Sequence, residues 1–268
     1  MNQSPDARAR KTTARTARGP VISLTLESSC EVTGTQPVAI GIPLPRGTLR
    51  NPDAVLLRDA RRRRTPVQTT VLSHWPDGSV RWLLVEALAG PLQQGRHVWS
   101  LELLKTTKPL PSPSRLELRH TADALWVDTG AATFSISRHT LGPVTGIDRG
   151  GQPLLAPSQG GLTLTDETGR ICEARVQHIE LEAQGPIRTT VRIDAVLEGD
   201  SGCRLVTRLC FFAGTGLVRA RLTLHNPRRA QHKGGLWDLG DPGSMLFHDL
   251  TWTLGLPSAP SHIFWRAE

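Results

Sequence analysis

Short stretches in which every second residue is apolar recur along most of the chain. Examples from the first half are PVISLTLE, PVAIGIPLP, PVQTTVLSHW and SVRWLLVEAL, and each is bounded by Gly, Pro or Asp. Such alternation is typical of β-strands that bury one face, whereas an amphipathic helix repeats its apolar residues with a period of 3.6. No sustained helical period with capping residues occurs. The pattern therefore predicts an all-β fold.

A proline-rich segment divides these predicted strands into two groups. Residues 105–115 read KTTKPLPSPSR, which is typical of a stiff, extended connection that does not enter a core. A chain of 268 residues is long enough to build two cores, one on each side of such a connection. The sequence thus predicts a disordered basic tail over residues 1–19, a first domain over residues 20–106 and a second over residues 114–268.

The formal net charge of +8 does not by itself predict a nucleic-acid partner. Five basic residues and one acidic residue lie in the first 19 positions, and aromatic residues make up only 4% of the chain. Binding to single strands needs aromatic side chains among the basic ones, so neither nucleic acid nor a membrane is expected as a partner. No apolar stretch approaches the roughly 20 residues that span a bilayer.

The ends and cysteines of the chain give little further guidance. The first residues contain no apolar segment of the kind found in secretory signals, so no signal peptide is visible and the cellular location stays open. The four cysteines show no CxxC spacing, which argues against a cysteine metal site. The oligomeric state also stays open.

The long strands predicted in the second half separate an apolar face from a basic one. In VRARLTLH, the apolar residues occupy one face and Arg219, Arg221, Thr223 and His225 the other. The segments 187–194 and 204–208 repeat this scheme. Because the planar guanidinium group binds carboxylates through two hydrogen bonds, an acidic polysaccharide or oligosaccharide is a candidate ligand for such a face.

A second interpretation of the same face needs no ligand. The arginines of a solvated sheet can pair with acidic residues on neighbouring strands, and Glu180, Glu182 and Asp194 are placed to do so. Both interpretations stay open at the level of the sequence.

Several segments carry a resemblance to a known family. PVAIGIPLPRGTL, VLSHWPDGSVRWLLVEA, GPIRTTVRIDA, LCFFAGTGLVRARLTLHN and HKGGLWDLGDPGSMLF resemble the front part of exo-acting rhamnogalacturonan lyases. The resemblance implies a small N-terminal RIFT-type β-barrel followed by a β-sandwich of long antiparallel strands, with an α/α toroid beyond them. Because the sequence reaches Glu268 without a toroid, a chain of this kind is expected to be incomplete for catalysis.

Lyase chemistry of the implied kind needs a base next to the uronate carboxylate and a cation that stabilises the developing negative charge. The chain contains no tyrosine, so histidine or lysine is expected to serve as the base. The segment from His225 to Ser244 supplies the candidates. The candidate bases are His232, Lys233 and His225, and the candidate substrate-binding residues are Arg219, Arg221, Arg228, Arg229, Trp237, Asp238 and Asp241.

The two aspartates of this segment have alternative roles. Asp238 and Asp241 can bind sugar hydroxyls or a Ca²⁺ ion, and no other cofactor is expected. Equally, the glycines, prolines and aspartates of GGLWDLGDPGS are what a compact multi-turn loop requires. Two classes of function therefore remain: a lyase-like protein that binds acidic pectin-type glycans, and a non-catalytic glycan-binding or structural β-sandwich module.

Overall fold

The computed structural model describes residues 19–106, 110–111, 116–155, 161–199, 202–231, 241 and 243–258. These residues form 18 strands and no helix, so the predicted all-β fold is confirmed. None of them belongs to a helix long and apolar enough to cross a membrane. The predicted basic tail, apart from Gly19, lies outside the described residues.

Seven strands make the N-terminal unit. They form two antiparallel sheets with the strand orders β1-β7-β3-β4 and β2-β6-β5. The core contains Leu57 and Leu101 from the first sheet and Leu83 and Val85 from the second, all of them buried. The strands are β1 (Val21–Ser28), β2 (Gln36–Pro43), β3 (Val55–Arg58), β4 (Arg64–Thr65), β5 (Val67–His74), β6 (Val80–Ala89) and β7 (Gly95–Leu103).

A tight turn joins β5 to β6, as the sequence HWPDGSVR predicts. The Gly78 amide donates a hydrogen bond of 2.9 Å to the Trp75 carbonyl, and Gly78 has a φ of +79° that favours glycine. The Asp77 carboxylate accepts hydrogen bonds from the hydroxyl and amide of Ser79 at 2.6 and 3.0 Å. These bonds, with the nearby Arg46, lower the pKa of Asp77 to about 2. The turn prediction is confirmed.

Eleven strands make the second unit, which is a β-sandwich as predicted. Its two antiparallel sheets have the orders β12-β11-β10-β9-β8 and β17-β16-β15-β14-β13-β18. Phe134 and Phe211, one from each sheet, meet in the core with ring centroids 5.3 Å apart. The strands are β8 (Glu117–His120), β9 (Ala124–Asp128), β10 (Thr133–Ser137), β11 (Gly146–Arg149), β12 (Gln152–Pro153), β13 (Gly161–Asp166), β14 (Ile171–Gln184), β15 (Arg188–Leu197), β16 (Arg204–Phe212), β17 (Val218–His225) and β18 (Phe247–Thr253).

The two units contact each other through buried polar side chains. The Gln68 side-chain oxygen of β5 accepts hydrogen bonds from the backbone amides of Ile187 and Arg188, at 3.1 and 2.8 Å. The Arg188 guanidinium donates to both carboxylate oxygens of Glu86 on β6, at 2.6 and 2.9 Å. One end of β15 is thereby fixed against the N-terminal unit, and the rest of the strand runs away from the contact.

Candidate functional site

Strand β17 presents its basic residues to solvent. Its residues alternate strictly between half-buried and exposed, and the half-buried apolar residues pack against the sandwich core. The exposed residues are Arg219, Arg221, Thr223 and His225. The predicted separation of an apolar and a basic face is therefore confirmed for this strand.

The register of the sheet aligns basic side chains on neighbouring strands. Arg221 of β17 lies opposite Arg208 of β16, and His225 lies opposite Arg204. Arg208 in turn lies opposite Arg192 of β15. Because like charges directly opposite each other destabilise a sheet, such an alignment favours either acidic partners nearby or an anionic ligand.

Acidic partners are present on the β14 and β15 side of this face. The Arg208 guanidinium lies 2.7 Å from the Glu182 carboxylate, and that of Arg192 lies 3.0 Å from Asp194 and 3.3 Å from Glu180. The hydrogen bond from Arg208 lowers the pKa of Glu182 and raises that of Arg208 itself. The interpretation as an ion-paired sheet face is therefore correct for Arg192 and Arg208.

The β17 side of the face has a different charge balance. Arg204, Arg219, Arg221 and His225 are exposed and form no ion pair with any acidic residue in the described part of the chain. Arg219 lies above the Phe212 ring, with its guanidinium carbon 5.9 Å from the ring centroid. We call these four basic residues the basic strip. The three guanidinium groups and the His225 ring are accessible to an anion from solvent.

The segment that follows the basic strip is held together at its two ends. The Asp241 carboxylate accepts hydrogen bonds from the amides of Gln231 and Gly243, at 2.9 and 2.7 Å. The Asn226 side chain donates to the Gly243 carbonyl at 2.7 Å and accepts from the Arg228 amide at 3.0 Å. These contacts join residues 226–231 to residues 241 and 243.

The structure describes only some of the predicted site residues. Arg228 and Arg229 are exposed at the start of the loop, directly after the basic strip. His232, Lys233, Trp237 and Asp238 lie outside the described residues, so their roles as base or sugar ligand stay predictions. Asp241 is buried among loop amides, and its assignment to a sugar or to Ca²⁺ likewise stays a prediction.

No metal centre is apparent in the part of the chain that the structure describes. None of its residues belongs to a group of three or more His, Cys, Asp or Glu side chains that could hold an ion. The chemistry of the described face is therefore that of guanidinium and imidazole groups, which donate hydrogen bonds to anionic oxygens.

A cavity of about 160 Å³ lies beside the loop. Arg228 and Met245 line one part of it, and Arg170, Cys172 and Glu198 line another. Ligand pockets usually measure ~300–1,000 Å³, so this cavity is too small to enclose a sugar chain.

Comparison with known proteins identifies the N-terminal unit. Residues 26–97, about a quarter of the chain, match the family model described as the PcRGLX-like N-terminal RIFT barrel domain. The N-terminal unit is therefore similar to this RIFT barrel domain. The predicted resemblance to rhamnogalacturonan lyase-like proteins is thereby confirmed for this RIFT barrel domain, which comprises most of the strands before the proline-rich segment.

A curated relative extends the similarity into the sandwich. The uncharacterized protein YetA of Bacillus subtilis (strain 168) is 27% identical over 206 residues, a match that covers 70% of this chain and 23% of the relative. The chain thus spans about a quarter of that relative's length. The similarity supports a shared architecture over the matched region.

Two residues of the same sheet face were not among the sequence-predicted site residues. Arg175 of β14 is exposed and forms an ion pair with Glu198, which follows β15. The alternation of polar and apolar residues in ICEARVQH is the signal that marks Arg175 as facing outward. The sequence contains no comparable signal for its partner, because Glu198 lies after the last residue of its strand.

Proposed function

We propose that this chain binds acidic glycans of the pectin type, with uronate carboxylates held by the basic strip. One observation carries the proposal. Arg192 and Arg208 have acidic partners on the sheet face, whereas the neighbouring Arg204 and Arg221 have none among the described residues. A row of exposed guanidinium groups without internal counter-charge is suited to bind a ligand that carries repeated carboxylates.

The shape of the face supports an extended ligand. The basic strip lies on two adjacent antiparallel strands, and its side chains alternate with the half-buried residues that face the core. Successive outward residues on a strand are roughly 7 Å apart, since each residue rises about 3.3 Å. Arg219 and Arg221 therefore present two guanidinium groups roughly 7 Å apart along β17, and the His225 ring follows beyond Thr223. A linear polyanion can contact several of them at once.

A nucleic acid also carries repeated negative charge, but the strip lacks the second feature that single strands require. Bases stack on exposed aromatic rings. The outward neighbours of the strip on these strands are Thr223, Val206, Arg208 and Cys210, and the nearby Phe212 is buried. The face thus favours an anion that is recognised through its charge and hydroxyl groups.

Titration calorimetry with oligogalacturonate and with a neutral galactan oligomer of equal length tests the proposal. The wild-type chain should bind the acidic oligomer more tightly than the neutral one. The Arg204→Ala/Arg221→Ala double variant should bind it at least about tenfold more weakly, a change of ~1.4 kcal/mol. Arg149→Ala is the matched control, because Arg149 is an exposed arginine on the opposite sheet. Equal binding by both variants would refute the role of the strip.

β-Elimination is the second candidate function. It is favoured by one observation: the basic strip ends at His225, which is itself a candidate base and the first residue of the segment that contains His232 and Lys233. Catalysis needs such a base within reach of a bound uronate. In any form of the protein that produces unsaturated uronate, His232→Ala or Lys233→Ala should lower turnover by about 10²-fold if that residue is the base. Unchanged turnover in these variants and in His225→Ala would leave glycan binding as the function of this face.

A further inference from the structure

A row of outward residues begins at His225 and crosses four of the six strands of the sheet. His225 lies opposite Arg204, Arg204 opposite Val196, and Val196 opposite Arg175. A further bridge pairs Arg175 with Thr140, which follows β10. Adjacent strands are about 4.8 Å apart, so this row spans roughly 19 Å from β17 to Thr140.

A cavity of about 300 Å³ lies at the far end of this row. Arg138, His139 and Thr140 form one of its walls, and the β14 residues Glu173 and Arg175 form another. Glu198, the partner of Arg175, also lines it. The cavity is thus almost twice as large as the one beside the loop.

We propose that this cavity is a subsite for one sugar ring of a glycan whose acidic residues lie on the basic strip. The proposal rests on the proposed function, and it adds a second contact region: beyond Arg204 and His225 the ligand crosses the strands along the row. A ligand that reaches both regions must contain several sugar residues.

The groups around the cavity suit hydroxyls better than a carboxylate. Arg138 and Arg175 supply donors, while Glu173 and Glu198 supply acceptors, so positive and negative side chains are balanced. A balanced set gives no net attraction for an anion, but a sugar ring offers hydroxyls that donate as well as accept. The subsite should therefore recognise a ring through its hydroxyl groups, whichever sugar carries them.

Two of these groups are in place for such contacts. The Arg138 guanidinium is oriented by hydrogen bonds to the Thr121 carbonyl and the His120 ring, at 3.1 and 3.0 Å, and it has no carboxylate partner in the part of the chain that is described. Glu173 is exposed and has no polar side-chain contact in the described structure. A fixed donor and an available acceptor therefore border the cavity.

The Glu173→Ala variant distinguishes a sugar subsite from a purely electrostatic effect of the Glu173 charge. Removing a negative charge from this face would strengthen the binding of any polyanion if the cavity played no part, since long-range repulsion would decrease. If Glu173 accepts hydrogen bonds from a sugar ring, the same variant should instead weaken the binding of ligands long enough to reach it. The two accounts therefore predict opposite changes in the affinity for long ligands: tighter binding without a subsite and weaker binding with one.

The experiment compares digalacturonate with hexagalacturonate by calorimetry. The hexamer should bind the wild-type chain more tightly than the dimer, and Glu173→Ala should weaken hexamer binding about tenfold while dimer binding stays unchanged. Glu117→Ala, an exposed glutamate of the other sheet, is the control and should change neither. Unchanged or tighter hexamer binding by Glu173→Ala, or equal weakening of both ligands, would overturn the subsite. Failure of both oligomers to bind the wild-type chain would instead refute the proposed function.

Discussion

The Arg188 guanidinium of the sandwich donates two hydrogen bonds to the Glu86 carboxylate of the RIFT barrel, at 2.6 and 2.9 Å. Both side chains are largely buried, with exposed fractions of 16% and 7%. Burial alone would lower the pKa of Arg188, but the hydrogen bond and the charge of Glu86 outweigh it, so the pKa is raised. The pair fixes the end of β15 and thereby the position of the sheet face relative to the RIFT barrel.

Glu86→Ala should lower the free energy of unfolding by about 3–5 kcal/mol, because it leaves the buried Arg188 charge without a partner. Urea unfolding measures the change. Glu117→Ala is an exposed control and should stay within about 0.5 kcal/mol of wild type. A loss below about 1 kcal/mol for Glu86→Ala would show that the pair is not buried in the way described.

Gly185→Ala should also destabilise the chain, by about 1–3 kcal/mol, through overpacking. A Cβ atom at this position would overlap the Gln68 side chain. The oxygen of that side chain accepts hydrogen bonds from two backbone amides of the sandwich. Gly216→Ala is the matched control, since a Cβ there meets nothing within 4 Å. Thermal unfolding should therefore show a lower Tm for Gly185→Ala only. Equal Tm values would contradict the close approach of the two units.

The strand pattern and the faces of the long strands were predictable from the sequence, because alternation with period two reports which side chains are buried. Arg188 and Arg192 both fitted this pattern and were assigned to one basic face. The two arginines have different acidic partners, and the local alternation does not predict which partner each one has. Arg192 pairs with Asp194 on its own strand and with Glu180 on the adjacent β14, whereas Glu86 lies 102 positions from Arg188 in another sheet.

The order of the strands in the sheets could not be predicted from local patterns either. β18 was not predicted, although it pairs with β13 and forms one edge of the sheet. The row from His225 to Arg175 depends on the register of four strands, and a shift of one residue in any of them would turn its side chains to the core. The sequence therefore indicated a basic face but not which of its arginines remain without an acidic partner.

The ion pair between Arg208 and Glu182 predicts a dependence of stability on pH. The pKa of Glu182 in the folded chain is lowered from its ordinary value of 4.5, mainly by the hydrogen bond from Arg208. Its contribution is fully present above pH 4.5 and is lost as the pH falls through the lower, folded-state value. Glu182→Gln should therefore reduce the loss of unfolding free energy on acidification below pH 4.5, in urea unfolding at a series of pH values.

Salt provides the control for this prediction. The Glu182 side chain is partly exposed, so the difference between wild type and Glu182→Gln should shrink at ~1 M salt, where charges are screened over about 3 Å. An acid-induced loss of stability that is the same in both proteins would contradict the assigned pairing.

The most direct test of the account compares hexagalacturonate with its fully methyl-esterified form, which has the same length and the same rings but no carboxylate charge. If the basic strip binds uronate carboxylates, the wild-type chain should bind the free acid at least about tenfold more tightly than the ester. The difference should decrease as salt rises, because exposed charges are screened. Equal dissociation constants for the two forms at low salt would contradict recognition of acidic glycans by Arg204, Arg219, Arg221 and His225.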